Sequence, residues 1–397
     1  MEELFEISEN LIAKTSTKFK RYLFDQVDWS ERLIGIKGSR GTGKTTLVLQ
    51  HIQEKALSSA KAVYFSLDEL YFTNNSIIDT AKTFYQGGGR ILVLDEVHKY
   101  QGWAKEIKNL YDRYDDLQII FTGSSIIDIS REEGDLSRRA LIFELKGLSY
   151  REYLSLFQGI KLPVLTLSQL LDSNQNLRSL FPSDFKPLEK FKEYLKVGYY
   201  PFSGVNRESY YIRLRQMVRV IVEFDMAEMK GFDIRNAKKM LQLLYVIAQQ
   251  VPFKPNISTL SEKTQIHRNT MVNYLHYLNE ARLIDLLYAQ GISVAVLQKP
   301  EKVFLNNTNL LYALSETEPE IGTVREVFFN SQLKVDHKVA YSPRVDFLVD
   351  QSVQFEIGGK NKSSKQIQNT SNSWIVKDDL EYPVANHLPL WVFGFLY

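Results

Sequence analysis

Short apolar runs alternate with amphipathic segments over the first 150 residues of the chain. Five four-residue runs are apolar almost throughout, and they span 33–36, 62–65, 91–94, 118–121 and 140–143. Helical patterns separate these runs, and strands that alternate with helices favour an α/β fold with a parallel sheet and helices on both faces. Because the runs are continuously apolar, we expect the strands to be buried on both faces. A helix is also predicted before the first run, over residues 4–28.

The alternation ends near residue 150, and the remaining patterns are of other kinds. Residues 150–230 are predicted to be helical, with a break around Phe181-Pro182-Ser183. Residues 235–305 contain three helical patterns and then two strand-like runs, which is the order of a winged helix-turn-helix. We therefore predict four parts, with the boundaries 1–149, 150–230, 231–305 and 306–397.

A glycine-rich loop follows the first apolar run and precedes a helix. It reads Gly38-Ser39-Arg40-Gly41-Thr42-Gly43-Lys44-Thr45-Thr46, which matches the pattern G-x-x-x-x-G-K-[ST]. Glycines let successive backbone N–H groups turn toward phosphate oxygens, and the following helix adds its positive dipole end. Lys44 is predicted to contact the β- and γ-phosphates, and the Thr45 hydroxyl is predicted to bind Mg²⁺. The loop therefore predicts a site for ATP.

Polar residues follow the later runs, where a parallel sheet collects its ligands. After the third run, Asp95 is predicted to hold Mg²⁺ directly or through water, and Glu96 to polarise the attacking water as a general base. Ser124 is predicted to contact the γ-phosphate or that water, although it can also cap the next helix. Arg139 is a candidate for stabilising the transferred phosphoryl group, with a surface position as the alternative.

A third set of charged residues lies in the last predicted part. Segments 344–349 and 353–357 predict a hairpin centred on Gln351, which places Asp346 opposite Glu356. Like charges at that separation need a cation between them, such as a divalent metal, Lys360 or Arg344. Glu326, on a predicted helix, is a candidate third ligand. The spacing is that of PD-(D/E)xK nucleases, but Gly358 stands where their lysine is expected, so that Lys360 would have to replace it.

Composition and charge limit the possible partners. The net charge is +2, with 44% hydrophobic and 24% charged residues, so no overall field marks a nucleic-acid-binding protein, and contact with DNA would need a local patch. The absence of cysteine excludes disulfides and thiolate metal sites, and it fits a reducing compartment. No signal-peptide pattern and no apolar run of ~18 residues is present. We therefore expect a cytoplasmic protein with no membrane association.

Together these motifs resemble a family of prokaryotic AAA-type P-loop ATPases with a C-terminal domain of unknown function. Segments 34–45, 94–103, 121–125, 136–140 and 147–153 carry the resemblance. It spans nearly the whole chain and is specific in the ATPase half. It implies an AAA-type ATPase domain over 1–149, a helical lid or linker over 150–230, a winged helix over 231–305 and a restriction-endonuclease-like domain over 306–397. It also implies ATP binding and hydrolysis, and it names no substrate.

Three functions remain open at this point. The first is ATP hydrolysis coupled to a module that contacts DNA. The second is a slow, nucleotide-gated switch that binds a protein, and the third is an ATP-gated nuclease. The second helix of the predicted winged helix offers polar residues for DNA or for a protein, and the two partners are equally favoured. These residues are His267, Arg268, Asn269, Asn273 and His276. The oligomeric state is open as well.

Overall fold

The structure, a computed structural model, shows two compact units. It describes residues 1–55, 60–124, 136, 138–172, 176–204, 206–228, 232–250, 257–290, 300–359 and 372–397. The first unit contains Met1–Lys146 and Ala227–Phe232, and the second contains Gly147–Met226 and Asp233–Tyr397. Within these residues, no helix combines the length and the apolar character needed to cross a membrane.

The first unit is built on a parallel sheet of five strands. The strands are β1 (Leu33–Gly38), β2 (Ala62–Ser66), β3 (Ile91–Asp95), β4 (Gln118–Ser124) and β5 (Leu141–Glu144). Their order across the sheet is β2-β3-β4-β1-β5, and every neighbouring pair is parallel. β3 and the inner residues of β1 and β4 are buried, which agrees with the continuous apolar runs. The predicted α/β fold class and its five strands are confirmed.

Helices flank this sheet, and one of them differs from the prediction. They are α1 (Glu2–Lys14), α2 (Leu23–Gln26), α3 (Lys44–Glu54), α4 (Ile77–Gln86) and α5 (Trp103–Arg113). The single helix predicted over 4–28 is wrong, because α1 ends at Lys14 and only one short turn follows. The side-chain amide of Gln50 donates hydrogen bonds to the backbone oxygens of Ser16 and Phe19, at 2.6 and 2.8 Å. These contacts hold the intervening segment against α3 in a non-helical path.

The second unit begins with helices. The first of them starts with a capping box, in which Ser149 and Glu152 bond to each other's backbone N–H groups. The helices are α6 (Tyr150–Gln158), α7 (Leu167–Leu171), α8 (Pro187–Val197), α9 (Arg207–Glu223), α10 (Ala237–Ala248), α11 (Ile257–Thr264) and α12 (Arg268–Glu280). An antiparallel strand pair follows, β6 (Ile284–Leu287) with β7 (Lys302–Leu305). The winged-helix assignment for this region stays a prediction.

The end of the second unit is a mixed sheet with two further helices. The elements are α13 (Thr308–Leu314), α14 (Ile321–Leu333), β8 (Val339–Ala340), β9 (Phe347–Val349), β10 (Val353–Gly358), β11 (Ser373–Lys377) and β12 (His387–Pro389). The strand order is β12-β11-β10-β9-β8. The predicted hairpin is confirmed, since β9 and β10 pair antiparallel with Val349 opposite Val353. Phe329 of α14 packs its ring against Phe347 and Phe355.

Candidate functional site

The glycine-rich loop connects β1 to α3 at the carboxyl edge of the first sheet. Gly43 caps α3 with a left-handed φ of 95°, a conformation that glycine adopts without strain. A Cβ on Gly38 would lie 2.4 Å from the backbone oxygen of Leu145, so the close approach of these two segments requires glycine. The loop therefore has the turn and the helix N-terminus that a phosphate site needs.

Two basic side chains bind the loop itself. The Lys44 ammonium donates to the backbone oxygens of Gly38 and Ser39, at 2.9 and 3.1 Å. The buried guanidinium of Arg21 donates to the backbone oxygen of Thr42 at 2.5 Å and to that of Lys146 at 2.7 Å. Arg21 was not predicted as part of the site, because it lies in a basic stretch that resembles an ordinary solvated surface.

Asp95, at the end of β3, is 2% exposed and accepts three hydrogen bonds. The donors are the Thr45 hydroxyl at 2.6 Å, the Tyr64 hydroxyl at 2.6 Å and the Thr122 hydroxyl. All three donors are uncharged, and the described part of the chain contributes no ion pair to Asp95. Burial, followed by the charge of Asp95, raises the pKa of Tyr64, so Tyr64 remains a hydrogen-bond donor.

This arrangement fits a Mg²⁺ ion. Oxygen is the ligand that Mg²⁺ prefers, and proteins bind it through one or two side chains together with nucleotide phosphates. Thr45 and Asp95 come from different elements and are joined by a hydrogen bond of 2.6 Å. The Asp95 carboxylate accepts hydrogen bonds from hydroxyls, and no ammonium or guanidinium in the described residues forms an ion pair with it. Thr45 and Asp95 are therefore the residues that would hold the ion.

Glu96 follows Asp95 in a strained conformation. Its φ is 54°, in the left-handed region that costs a residue with a side chain roughly 1–3 kcal/mol and that is common at functional sites. Its carboxylate lies 3.3 Å from Nε2 of His98, whose side chain is 6% exposed. Burial and then the charges of Lys99, Lys44 and Arg40 lower the pKa of His98 to about 3. The ring is therefore neutral near pH 7, and the contact is not an ion pair.

The polar residues of β4 reach the same edge of the sheet. Ser124 is 5% exposed and pairs in register with Gly38, the first residue of the loop. Thr122, two residues earlier on the same face, is fully buried, bonds to Asp95 and accepts the backbone N–H of Glu96 at 3.4 Å. The structure thus brings together the loop, Asp95, Glu96 and Ser124, all of which were predicted to meet, and adds Tyr64 and Thr122.

Arg139 lies at the amino-terminal edge of the sheet, whereas the glycine-rich loop lies at the carboxyl edge. Arg139 precedes β5, and Leu141 of β5 pairs with Ile34, near the start of β1. About four strand residues, or roughly 13 Å, separate that level from Gly38. The Arg139 guanidinium binds Asp112 of α5 through two hydrogen bonds, at 2.9 and 3.1 Å. The expectation that Arg139 contacts the nucleotide of its own chain is therefore not supported by its position.

The three acids Glu326, Asp346 and Glu356 lie close together, and the ammonium of Lys302 lies beside the first two. Nζ of Lys302, on β7, lies 3.0 Å from a Glu326 oxygen and 3.7 Å from an Asp346 oxygen. The other Asp346 oxygen accepts the backbone N–H of Ile357 at 2.8 Å. Burial raises the pKa of Glu326, against the charge of Lys302, and Asp346 and Glu356 add to the rise. The cation that the sequence required is therefore Lys302, which was not predicted.

This cluster does not fit a divalent metal. Both Asp346 oxygens already have a partner, and the ammonium of Lys302 forms ion pairs with Glu326 and Asp346, so a metal ion would have to displace it. No group of three or more His, Asp or Glu side chains in the described residues is placed to hold a metal ion. Glu356 is 4% exposed on β10, and Lys360 lies outside the described residues.

The five polar residues on the second helix of the predicted winged helix differ in exposure. His267, Arg268 and Asn273 are exposed, whereas His276 is half-buried. Burial lowers the pKa of His276, and its Nε2 atom has no hydrogen-bond partner among the described residues. The side chain of Asn269 lies outside the described residues. Three of the five candidate contacts are therefore available at the surface of α12.

Two family descriptions match parts of the chain. Residues 30–154 match the family described as AAA domain, and residues 188–321 match a domain of unknown function (DUF8612). The first match covers the loop, Asp95, Glu96, Ser124 and Arg139. Residues 30–154 are therefore similar to an AAA domain, and together with the geometry of the glycine-rich loop this similarity supports nucleotide binding.

Two similar proteins are uncharacterised, so they indicate no activity for this chain. The chain is 29% identical to the uncharacterised protein MJ1637 of Methanocaldococcus jannaschii over 92% of this chain and 87% of that protein. It is 26% identical to the uncharacterised protein MJ1544 of the same organism, over 64% of this chain and 55% of that protein. Among solved structures, it is similar to AMPPCP-bound DnaA from Aquifex aeolicus (17% identity, 70% of this chain, 88% of that chain, TM-score 0.27) and to PCH-2 from C. elegans (14%, 70%, 66%, 0.25). At these TM-scores, neither structure supports an argument about this chain.

Proposed function

We propose that this protein binds ATP with Mg²⁺ and hydrolyses it, and that its second unit responds to the nucleotide state. The observation that supports this most directly is the contact between Thr45 of the glycine-rich loop and Asp95 of β3, at 2.6 Å. It joins the glycine-rich loop to a buried carboxylate whose hydrogen-bond donors among the described residues are all neutral. That combination serves a cation bound together with phosphates.

The loop residues have separate roles in this proposal. The backbone of Gly38–Thr46 surrounds the phosphate oxygens, and Lys44 exchanges its bonds with the loop oxygens for the β- and γ-phosphates. Thr45 and Asp95 would hold the Mg²⁺ ion. When bound, the ion would supply positive charge to the phosphate oxygens.

Glu96 is the proposed general base. It directly follows Asp95, and its strained backbone turns it from the line of β3 toward His98. A carboxylate at this place can orient and polarise the attacking water. Ser124, beside the first loop residue, is proposed to contact the γ-phosphate or the same water.

Arg139 requires a second copy of the chain if it is catalytic. It lies at the amino-terminal edge of the sheet, away from its own glycine-rich loop, and is hydrogen-bonded to Asp112. We propose that it acts on the nucleotide of a neighbouring copy. This position favours the second candidate function, a slow nucleotide-gated switch that binds a protein partner, because an isolated chain lacks this guanidinium at its own γ-phosphate.

The second unit is proposed to be the part that makes contacts. In the proposed division, residues 150–230 are a lid or linker, 231–305 a winged helix and 306–397 a restriction-endonuclease-like domain. The exposed residues of α12 are candidates for DNA or for a protein. The nuclease alternative is the least favoured, because the ammonium of Lys302 already forms ion pairs with Glu326 and Asp346. The cytoplasm is the proposed location.

The decisive experiment measures steady-state ATP hydrolysis with duplex DNA, with single-stranded DNA and without DNA. Three proteins are compared: the wild type, Lys44→Ala and Glu96→Gln. We expect Lys44→Ala to lose ATP binding and Glu96→Gln to bind ATP without turnover. Undiminished hydrolysis by Glu96→Gln would refute the assignment. Stimulation by DNA favours coupling to DNA, and slow turnover that ignores DNA favours the switch.

A further inference from the structure

We propose that Tyr64 is a positioning residue of the nucleotide site: its hydroxyl fixes the carboxylate of Asp95 in the orientation that serves the nucleotide-bound cation. Tyr64 lies in the middle of β2, within an apolar run whose pattern predicts only a buried strand. The inference rests on the proposed function, since it assigns a role within the same Mg²⁺–nucleotide site.

The register of the sheet places the two residues on one face. Tyr64 pairs with Val93 and Ser66 pairs with Asp95, so Tyr64 and Asp95 are diagonal neighbours on adjacent strands. A tyrosine side chain is long enough to span this diagonal. Its hydroxyl donates to an Asp95 oxygen at 2.6 Å, the same oxygen that accepts from Thr45.

Tyr64 is itself held on several sides. Its residue is 6% exposed, and its backbone N–H donates to the Ser8 hydroxyl of α1 at 2.9 Å. β2 is an edge strand of the sheet, so Ser8 supplies a partner that a further strand would otherwise provide.

The three hydroxyls that donate to the Asp95 carboxylate have different roles. Thr122 holds one carboxylate oxygen, while Tyr64 and Thr45 share the other. Thr45 belongs to the loop that binds phosphate, so its bond to Asp95 depends on how the loop and the cation are arranged. Tyr64 belongs to the sheet, so it keeps the carboxylate oriented independently of the loop. Groups that orient a metal-binding carboxylate typically change metal affinity 10–100-fold when they are removed.

The test uses Tyr64→Phe in the full chain, which removes the hydroxyl and keeps the ring. Binding of an ATP analogue with a fluorescent group on the ribose is measured in EDTA and during titration with Mg²⁺. We expect unchanged affinity in EDTA and a rise of about tenfold in the Mg²⁺ concentration at the midpoint. In ATP hydrolysis, the apparent KM for Mg²⁺ should shift more than kcat at saturating Mg²⁺.

Tyr85→Phe is the matched control. Tyr85 also donates to an aspartate at 2.6 Å, Asp116, but at the other edge of the first unit's sheet. It should leave the Mg²⁺ midpoint unchanged. A double-variant cycle adds a readout that a merely structural role would not produce: in an Asp95→Asn background, Tyr64→Phe should shift the midpoint no further.

Two results would overturn the inference: an unchanged Mg²⁺ midpoint in Tyr64→Phe, or an equal loss of affinity in EDTA, which indicates structural damage. If Tyr64→Phe does not fold, Tyr64→Leu replaces it, since it also removes the hydroxyl, and an unchanged midpoint in that variant has the same meaning. Failure of the proposed function gives a different result, because wild-type binding would then be indifferent to Mg²⁺.

Discussion

Two carboxylate clusters, a buried one in the first unit and a half-buried one in the second, are held by different kinds of partners. Asp95 accepts hydrogen bonds from three neutral hydroxyls, those of Thr45, Tyr64 and Thr122. In the second unit, Glu326 and Asp346 face the ammonium of Lys302. In both arrangements, the carboxylates have hydrogen-bond or ion-pair partners. Only the second brings a cation to them.

The difference shows what a cluster of acids can be used for. A carboxylate held by neutral donors remains oriented and negative, so a cation that arrives with a ligand can still bind to it. A carboxylate paired with an ammonium has already gained its electrostatic stabilisation, and a metal would have to displace the lysine. The first cluster is suited to a ligand, and the second to stability.

The largest expected effect comes from removing the ammonium of the second cluster. Lys302→Met leaves Glu326 and Asp346 facing each other without a cation. Exposed ion pairs contribute roughly 0–1 kcal/mol and loss of one partner of a buried pair costs roughly 3–5, so we expect a loss of about 3 kcal/mol in the free energy of unfolding. Chemical denaturation measures it.

The same variant can convert the second cluster into one of the first kind. Mn²⁺ should raise the melting temperature of Lys302→Met and should leave that of the wild type unchanged. Binding of Mn²⁺ by the wild-type acids in the second unit would break the comparison, and it would restore the nuclease alternative. Asp346→Ala in the wild-type background identifies those acids as the binding site.

Exchanging Asp95 for asparagine tests the first cluster. Asp95→Asn keeps the shape of the side chain and removes the charge, so ATP hydrolysis should fall about a hundredfold, equivalent to ~2.7 kcal/mol. The matched variant Asp346→Asn should hydrolyse ATP at the wild-type rate. A similar loss in both variants would contradict the separation of roles.

Thr122→Val examines the hydroxyls that hold Asp95. The substitution leaves one Asp95 oxygen without its donor inside the protein, and an unsatisfied buried group costs roughly 1–3 kcal/mol. We expect about 1.5 kcal/mol of lost stability, measured by urea unfolding. If Thr122→Val were as stable as the wild type, the hydroxyl would not be needed to hold the carboxylate.

Lowering the pH should change the free energy of unfolding of the two units in opposite directions. The change should be smallest near neutral pH. Burial lowers the pKa of His51 to about 4 and that of His98 to about 3, both below the unfolded value of about 6.5. Their stabilising effect is therefore complete above pH ~6.5 and is lost as the pH falls. Glu326 has a raised pKa, so its contribution increases as the pH falls toward 4.5.

The measurement is urea unfolding at pH 7 and pH 5.5, followed by tryptophan fluorescence. The first unit should lose up to ~1 kcal/mol per histidine over this interval. Trp29 reports on this unit, since its ring stacks on His51 at 4.0 Å. His98→Gln should flatten the pH dependence of the first unit, and an unchanged slope would mean that His98 is not buried in its neutral form.

Sequence reasoning succeeded where the pattern is local. The apolar runs predicted the strands, and the spacing of Gly38 to Thr45 predicted the phosphate loop, because both depend on residues that are adjacent in the chain. It failed at the helix over 4–28, where Gln50 holds the backbone in another path. It also missed Lys302, which lies 24 residues before Glu326 and on a different element.

By itself, the sequence determined that the chain has a parallel sheet, a phosphate loop and two acids at the tip of a strand. Only the tertiary structure decided what surrounds each acid, because hydrogen-bond and ion-pair partners come from strands and helices far apart in the chain. It brought Tyr64 and Thr122 to Asp95, Lys302 to Glu326 and Asp346, and Arg139 to the edge away from its own loop. A carboxylate's availability for a cation depends on those neighbours, and they are set by strand order and register.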